Sequence, residues 1–530
     1  MLAYLFSRYP VVSQTFCDSE IMALEALGTP VAIGSINPPP DAFRHPRLAD
    51  RRAPVFYPPP SKALAAMRRK AEADGSWDPL GELVSLHDER YGETFKAATR
   101  ARNALYFNQV FKSVGVSHVH VHFANRATHT ALFLKRLGLP FSFTAHAQDF
   151  MVDLGSDDLL RELAREATFV AAVSDFSASL LREKCPESAD KVVRVYNGLD
   201  PGAFPKADPG AVGQPLKIVS IGRLIEFKGF QHLLGACGQL GGRGIPFQLT
   251  IIGEGDWQDR LSSLAADLGI DDKVRFAGVL GGDAIKDVLA DSHVFALASI
   301  TDSKGASDIL PTVIAEAMAA GLPVVSTRLA GIPEMVEHGE TGILCDPGDE
   351  AAMADALALL AAEPSTRERL GAAGGELARE RFATEVTARQ LSELFPGDAN
   401  SPPTYPSVAY LAPGWGARDA RSCDPELEAA AAHPDVMPIS LALHDDFQLV
   451  IARCRHGRWT TSPTVDGATA QNGHQPGAVA ASFLKVPSAL PSGPVSFLHK
   501  VFGLVWIAHH PKRDAIQRLP VFFYQFVKFG

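Results

Sequence analysis

Short apolar runs alternate with longer amphipathic stretches along the first 200 residues of the chain. Apolar runs typical of buried strands recur at 2–6, 31–36, 118–123, 141–146 and 169–174. The stretches between them show helical spacing, and one of these, 18–28, closes with a glycine, as helices commonly do. Strands that alternate with helices are typical of a parallel, doubly wound sheet covered by helices on both faces.

The same pattern starts again after residue 215. Apolar runs recur at 216–222, 247–253, 273–278, 293–299, 323–327 and 341–345. The segment 197–215, rich in glycine and proline, has the composition of an inter-domain linker. We therefore expect an α/β protein with two facing Rossmann-like domains, 1–200 and 201–395, and a ligand cleft at the carboxyl ends of their strands.

The pattern ends near residue 395. The segment 396–416 is rich in turn-forming residues, and 458–495 is rich in glycine, serine, proline and alanine, so neither predicts regular packing. Between them, 440–454 could form a β-hairpin. We expect 396–530 to be an irregular extension, low-complexity in part and of unknown role.

Composition and charge narrow the class of protein. A chain of 530 residues is too long for one hydrophobic core, and 46% hydrophobic with 21% charged residues excludes general disorder. The net charge of −10, without a basic domain, disfavours nucleic-acid binding. Six scattered cysteines form no CxxC pair, which disfavours zinc and redox motifs and favours a reducing cytosolic setting. The first residues lack a signal-peptide pattern, and no apolar run reaches the ~18 residues of a spanning helix.

Two cations follow the first strand of the second domain, in the stretch GRLIEFKG (222–229). Arg223 and Lys228 suit phosphate oxygens, one as a planar fork and the other as a point charge, although a solvated basic turn is the alternative interpretation. The stretch matches neither a P-loop nor GxGxxG, which disfavours a dinucleotide dehydrogenase. In IIGEG (251–255), two glycines around Glu254 either let the backbone approach a ligand or form an ordinary turn.

Two acids eight residues apart frame a predicted helix start in SDILPTVIAEAMAAG (307–321). Asp308 precedes Pro311 and Thr312, where helical spacing begins and where free backbone amides would form an anion site. Glu316 lies about one turn inside the helix and can accept paired hydroxyls. Charging of the helix N-terminus would also explain Glu316 alone.

Taken in order, these stretches resemble the donor domain of glycosyltransferase family 4, and they are joined by VRFAGVL and AGIPEMVEHGETGILCDPGD. In the first domain, SRYPVVSQTF, VHVHFAN and FTAHAQDF look like the subgroup that makes exopolysaccharides such as colanic acid. The resemblance covers about residues 1–395. It implies the GT-B fold and a hexosyl-type, retaining transfer from a nucleotide-sugar to a saccharide or lipid-linked saccharide. It also implies that no metal or other cofactor is bound, and that the enzyme acts in the cytoplasm.

The resemblance assigns roles to the candidate residues of the second domain. Arg223 and Lys228, after the turn at Gly222, match the pair that neutralises the donor diphosphate. Glu316 matches the acid that grips the ribose hydroxyls. Asp308 falls on the acid that usually meets the sugar, but the family normally has glutamate there, often followed by glycine. The shorter side chain puts its reach to the sugar in question.

Further donor contacts are implied in three turns and in the first loop of the chain. The turns are Gly253–Glu254, Gly278–Val279, which matches the turn that reads the base, and the helix start at Leu310, Pro311 and Thr312, which meets phosphate. The first loop contains Ser13, Gln14 and Thr15, expected to approach the diphosphate or the acceptor. Gln14 replaces a glutamate that is common in the family.

Three histidines are candidates in the first domain. His146, in FTAHAQDF, matches a histidine that contacts the donor sugar, and the resemblance suggests that it positions and polarises while the leaving phosphate helps to deprotonate the acceptor. His120 and His122 alternate on one strand and therefore face the same side. They are either a metal pair or, as we favour, residues of a strand end near the cleft.

Two questions stay open from the sequence. Aromatic and basic residues mix in 496–529. This stretch either contacts an anionic membrane surface at the inner face, packs its apolar side onto the main body, or is a poorly ordered appendage. The alternative function is a nucleotide-sugar-binding GT-B protein with little turnover, suggested by Asp308 and Gln14. A phosphorylase or sugar-nucleotide epimerase is disfavoured by the intact order of the family 4 motifs.

Overall fold

The structure is a computed structural model. It describes residues 1–11, 14–39, 51–146, 149–150, 157–211 and 215–396, together with the backbone of four short strands beyond residue 396. Ser13, the predicted hairpin 440–454 apart from its last residue, and the side chains of 496–529 lie outside the described residues. Among the described residues, no helix is both long enough and apolar enough to cross a bilayer.

The first sheet has seven strands in the order β3-β2-β1-β4-β5-β6-β7. Its strands are β1 Leu2–Arg8, β2 Val31–Asn37, β3 Val55–Phe56, β4 His118–His122, β5 Phe141–Ala145, β6 Val170–Ala172 and β7 Val192–Arg194. The pairs β1–β2, β1–β4, β2–β3 and β6–β7 are parallel. The helices between them are α1 Thr15–Ala26, α2 Ser61–Ala73, α3 Asp78–Tyr91, α4 Ala97–Ser113, α5 Arg126–Arg136, α6 Asp157–Glu166 and α7 Asp175–Lys184.

The second sheet has six strands in the order β10-β9-β8-β11-β12-β13, and all its pairs are parallel. Its strands are β8 Leu216–Ile221, β9 Phe247–Ile252, β10 Val274–Phe276, β11 Val294–Leu297, β12 Val324–Thr327 and β13 Gly342–Cys345. The helices are α8 Phe230–Gly242, α9 Gln258–Asp267, α10 Gly282–Ala290, α11 Thr312–Ala319, α12 Ile332–Met335, α13 Glu350–Ala362, α14 Pro364–Arg381 and α15 Thr384–Leu394. Beyond residue 396, β14 Cys454–Arg455 pairs with β15 Arg458–Trp459, and β16 Ala481–Leu484 pairs with β17 Val505–Ala508.

Alternate residues of each central strand feed two separate cores. In β8, Leu216 and Ile218 join one apolar cluster, while Val219 and Ile221 join the other on the opposite face. Both faces are buried, so the strand reads as a continuous apolar run rather than as an alternating one. Each fully buried side chain of this kind contributes about 1.5–3 kcal/mol to stability.

Each strand predicted from the sequence is confirmed, with ends that differ by one or two residues. The pattern made no assignment for α2, α3 and α4, which fill the segment between β3 and β4. By its internal packing, the chain divides into two compact units, one with Met1–Phe143 and Phe395 onwards and one with Thr144–Leu394. The second unit thus includes β6 and β7, and the domain boundaries expected from the sequence stay predictions.

Candidate active site

The candidate residues of the second sheet lie in four loops that follow neighbouring strands. The loops follow β10, β9, β8 and β11, which are adjacent in that order. From β8 the chain winds towards β10, and it then crosses to β11 and winds away on the other side. This is the topological switch point at which open α/β sheets bind ligands.

The loop after β8 is shaped by Gly229, whose backbone adopts φ +68°. A Cβ atom on this residue would lie 1.7 Å from the carbonyl oxygen of Ala298, so only glycine lets the loop pack against the end of β11. This fixes the short 3₁₀ turn Glu226–Lys228. The cations of Arg223 and Lys228 each lie 6.0 Å from the ring centre of Phe227. Arg223 is exposed, and Lys228 is partly buried.

An ion pair joins the loops on the two sides of the switch point. Lys228 Nζ lies 2.8 Å from Asp308 Oδ2 and 2.9 Å from Oδ1, and the two side chains are only 12% and 14% exposed. The hydroxyl of Ser299 donates to Asp308 Oδ2 at 3.0 Å. The sequence singled out Lys228 and Asp308 separately but predicted neither their bond nor the role of Ser299. The available signal was the position of Ser299 as the last residue of a predicted strand.

Backbone contacts tie the loop after β9 to its neighbours. Gly253 has φ +139°, and a Cβ atom there would lie 2.0 Å from the carbonyl oxygen of Gly222. Its amide donates to the carbonyl of Gly278 at 2.9 Å. Glu254 is exposed, and Val279 is 66% exposed although it is apolar. Gly253 is therefore required by its close approach to the protein's own backbone, and the approach of a ligand to this turn stays a prediction. Val279 offers an apolar surface beside it.

Helix α11 supplies an uncapped N-terminus and a carboxylate. Pro311 precedes the helix as its N-cap, and no side chain caps the amides that follow, which begin at Thr312. Leu310 and Thr312 are partly buried. Glu316 is partly buried and has no hydrogen-bond or ion-pair partner among the described residues. Burial raises the pKa of Glu316 to about 6, so this carboxylate is poised to accept hydrogen bonds from a ligand.

The candidates near the first sheet are found after β5 and before α1. His146 directly follows β5 and is buried; its backbone amide donates to Asp149 Oδ2 at 2.8 Å, and the amide of Asp149 donates back to the His146 carbonyl. Gln14 precedes α1, and its Oε1 atom is buried with no hydrogen-bond partner among the described residues. Thr15 is exposed at the first position of α1.

The strand histidines form a buried hydrogen-bond network. His122 Nε2 lies 3.0 Å from Glu20 Oε1, which also accepts from the hydroxyl of Tyr4. His120 Nδ1 lies 2.8 Å from the hydroxyl of Ser142. Glu20 and the two histidines could hold a metal by ligand type, since their ligand atoms lie within 4.8 Å of one another. Their hydrogen bonds to protein groups already account for this burial, and both histidines share one face of β4 as the alternation predicts.

In chemical terms, the second-sheet edge offers two cations, a helix N-terminus, two acids and an apolar side chain. A diphosphate suits the cations and the helix amides, because such donors bind phosphate oxygens. The unpartnered Glu316 suits vicinal hydroxyls. These are the groups of a nucleoside diphosphate, so this edge has the chemistry of a binding site for an activated nucleotide.

Comparison with known proteins agrees with this class. Residues 205–376 match the family model "Glycosyl transferases group 1", and residues 22–203 match "Glycosyltransferase Family 4". The chain therefore belongs to glycosyltransferase family 4, and it is a glycosyltransferase with the GT-B fold.

The matches to this chain span nearly the whole length of the relatives named below. A protein named as a colanic acid biosynthesis glycosyltransferase, WcaL, of Salmonella typhimurium is 28% identical over 74% of this chain and 98% of its own length. The amylovoran biosynthesis glycosyltransferase AmsK of Erwinia amylovora gives the same identity and coverage. The crystal structure of HepE from Anabaena in complex with UDP superposes with a TM-score of 0.57 and 20% identity, over 74% of this chain and 99% of that one.

Proposed function

We propose that the protein is a retaining glycosyltransferase of exopolysaccharide assembly that transfers a sugar from a nucleotide-sugar to a saccharide or lipid-linked saccharide without a bound metal. The observation that carries the proposal is the meeting of Arg223, Lys228 and the uncapped start of α11 at one switch point. The relatives named for colanic acid and amylovoran, and a structural neighbour that binds UDP, support this donor and acceptor class.

Charge develops on the diphosphate when the bond between the anomeric carbon and the phosphate oxygen breaks. The exposed guanidinium of Arg223 can donate two parallel hydrogen bonds to phosphate oxygens. Lys228 has three N–H donors, so it can keep its bond to Asp308 and still donate one to phosphate. With the α11 amides, these donors are already in place before the reaction and need no reorganisation; loss of one such group typically costs about 3 kcal/mol of transition-state stabilisation.

The acids bind hydroxyls in this scheme. Glu316 accepts from the ribose, since its carboxylate has no partner in the part of the chain that the structure describes. Each oxygen of Asp308 already accepts from Lys228, and Oδ2 also accepts from Ser299, so Asp308 meets the sugar with the lone pairs that remain. The carboxylate that touches the sugar thus also fixes the cation that touches the diphosphate.

Retention follows if the leaving phosphate deprotonates the acceptor on the same face of the sugar. His146 then orients and polarises the sugar, and the hydrogen bonds between its backbone and Asp149 hold the turn that carries it. We place the reaction in the cytoplasm, which the four free, buried cysteines of the described chain support. Contact of 496–529 with the inner face of the membrane belongs to the same proposal and rests on its aromatic and basic composition.

The decisive experiment measures binding and consumption of UDP-, GDP- and ADP-sugars by the full chain. We expect one donor to be consumed, with binding lost in Glu316→Ala and retained in Glu376→Ala, a matched change at an exposed acid. Asp308→Glu, which restores the longer acid, tests whether this position selects the sugar. Failure of every nucleotide to bind would refute the site.

The alternative is a nucleotide-sugar-binding protein with little turnover. The bond between Lys228 and Asp308 favours it, because a lysine held by a carboxylate donates less freely to phosphate. Binding without consumption, even with lipid-linked acceptors present, would support this alternative. Consumption of donor by Asp308→Asn would then be compared with that of the wild type, since this change keeps the shape of the site and releases the Lys228 cation.

A further inference from the structure

Arg100, in a helix of the first domain, is a charged residue that is buried. It lies in the first turn of α4 and is only 7% exposed. Its Nε atom is buried without an acceptor, and its guanidinium has no hydrogen bond or ion pair with any residue that the structure describes. A buried charge is normally paired, because removal from water disfavours the charged form.

The charged group that perturbs Arg100 is another cation, Arg126. Arg126 is the first residue of α5, and it is exposed. Burial, and then repulsion by Arg126, lowers the pKa of Arg100 to about 10, so Arg100 remains charged at neutral pH. Neither α4 nor α5 has an acid in its first turn. Both helices therefore place arginine where the helix dipole favours negative charge.

The sheet topology makes this a position for a ligand. From β1 the chain winds out to β3 and then crosses back to β4 on the other side of β1, so the switch point of the first sheet lies between β1 and β4. α5 begins three residues after β4, and α4 leads into β4, so both helix N-termini lie at the carboxyl ends of the strands. The hydroxyl of Ser7, in β1, donates to Asn125 Oδ1 at 2.9 Å, and Asn125 caps α5. The cations thus lie on an ordered edge rather than on a free surface loop.

We propose that Arg100, Arg126 and the N-terminus of α5 bind an oxyanion, a phosphate or carboxylate group, that the acceptor substrate carries. An oxyanion there would pair the buried guanidinium and relieve the repulsion between the two arginines. The binding of an oxyanion here does not depend on the proposed function. The assignment of this oxyanion to the acceptor rests on the proposed function.

The test follows thermal unfolding of the full chain with inorganic phosphate, glucuronate or glucose at constant ionic strength. Ligand that binds only the folded state raises the melting temperature with its concentration. We expect phosphate, glucuronate or both to stabilise the wild type, and Arg126→Gln to weaken this binding by roughly tenfold or more. Arg136→Gln, an exposed change at the far end of α5, should leave it unchanged. Any phosphate that binds the second-sheet cations contributes equally to all variants and cancels in the comparison.

Which anion responds identifies its source. A response to phosphate alone indicates a phosphorylated or lipid-diphosphate acceptor, and a response to glucuronate alone indicates an acidic sugar. Equal responses of wild type and Arg126→Gln to both anions would overturn the proposal.

Arg100→Met separates a ligand site from a structural role. If Arg100 binds an anion, removal of its unpaired charge should raise the melting temperature of the free protein. It should also abolish the further rise in melting temperature that the anion causes. A lower melting temperature with the anion response intact would overturn the proposal. Once a donor is known, Arg126→Gln should raise KM for the acceptor and leave donor binding unchanged. A chain that consumes no donor would refute the proposed function, while the anion assay would still report on this site.

Discussion

Replacement of Glu316 by glutamine should make the free protein more stable while it weakens donor binding. Burial raises the pKa of this carboxyl from 4.5 to about 6. The folded state therefore holds its proton more tightly than the unfolded chain, and stability falls as the pH rises from about 4.5 to about 6. Above that range the ionised carboxylate remains a constant penalty, which glutamine does not have.

The size of the effect follows from the shift. A difference of about 1.5 pKa units corresponds to about 2 kcal/mol. Part of the side chain reaches water, which screens the charge, so we expect about 1–2 kcal/mol. For a domain of about 200 residues, 1 kcal/mol shifts the melting temperature by about 2–4 °C, so we expect a rise of about 2–8 °C at pH 8. The rise should shrink as the pH falls towards 4.5 and vanish well below it, where wild-type Glu316 is protonated in both states.

The assay compares thermal unfolding of wild type, Glu316→Gln and the exposed control Glu376→Gln between pH 5 and 8. Stability gained by Glu316→Gln at pH 8, together with loss of stabilisation by a nucleoside diphosphate, would show a carboxylate kept for its ligand at the expense of stability. A variant that is less stable than the wild type at pH 8, or whose difference does not change with pH, would refute the reasoning. It would mean that Glu316 has a protein partner in solution.

Three further changes test the loops, a helix cap and a second buried acid. Gly253→Ala should lower stability by at least about 2 kcal/mol and abolish donor binding, since its Cβ would lie 2.0 Å from a carbonyl oxygen, whereas Gly281→Ala, in open space, should be silent in both assays. Glu334 accepts from the first two amides of α7 at 2.7 and 2.9 Å, so Glu334→Ala should lower the free energy of unfolding by about 1 kcal/mol; an unchanged melting temperature would contradict this. Burial raises the pKa of Asp18 to about 6, so Asp18→Asn should gain more stability, relative to wild type, at pH 8 than at pH 5, and a pH-independent difference would count against it.

Strand and loop positions were predictable because both sheets are parallel and buried. Such strands appear as continuous apolar runs, and their carboxyl ends meet at one edge. The pattern therefore predicted Arg223 and Lys228 at the end of a strand near the switch point, and Asp308 in the loop before a helix. The helices of 61–113 were not assigned, since Ser61–Ala73 carries mainly alanine and charged residues and gives a weak periodic signal.

The sequence by itself determined two doubly wound sheets, the loops that carry the donor-site candidates and the family to which they belong. Only the tertiary structure decided the partners of these side chains. Lys228 and Asp308 are 80 residues apart and meet because β8 and β11 are neighbours. Arg100 is buried, with no counter-ion among the described residues, because α4 packs against α5. A local pattern fixes which way a side chain faces, but the order of strands and the packing of helices fix what it faces, and charge pairing and pKa depend on the latter.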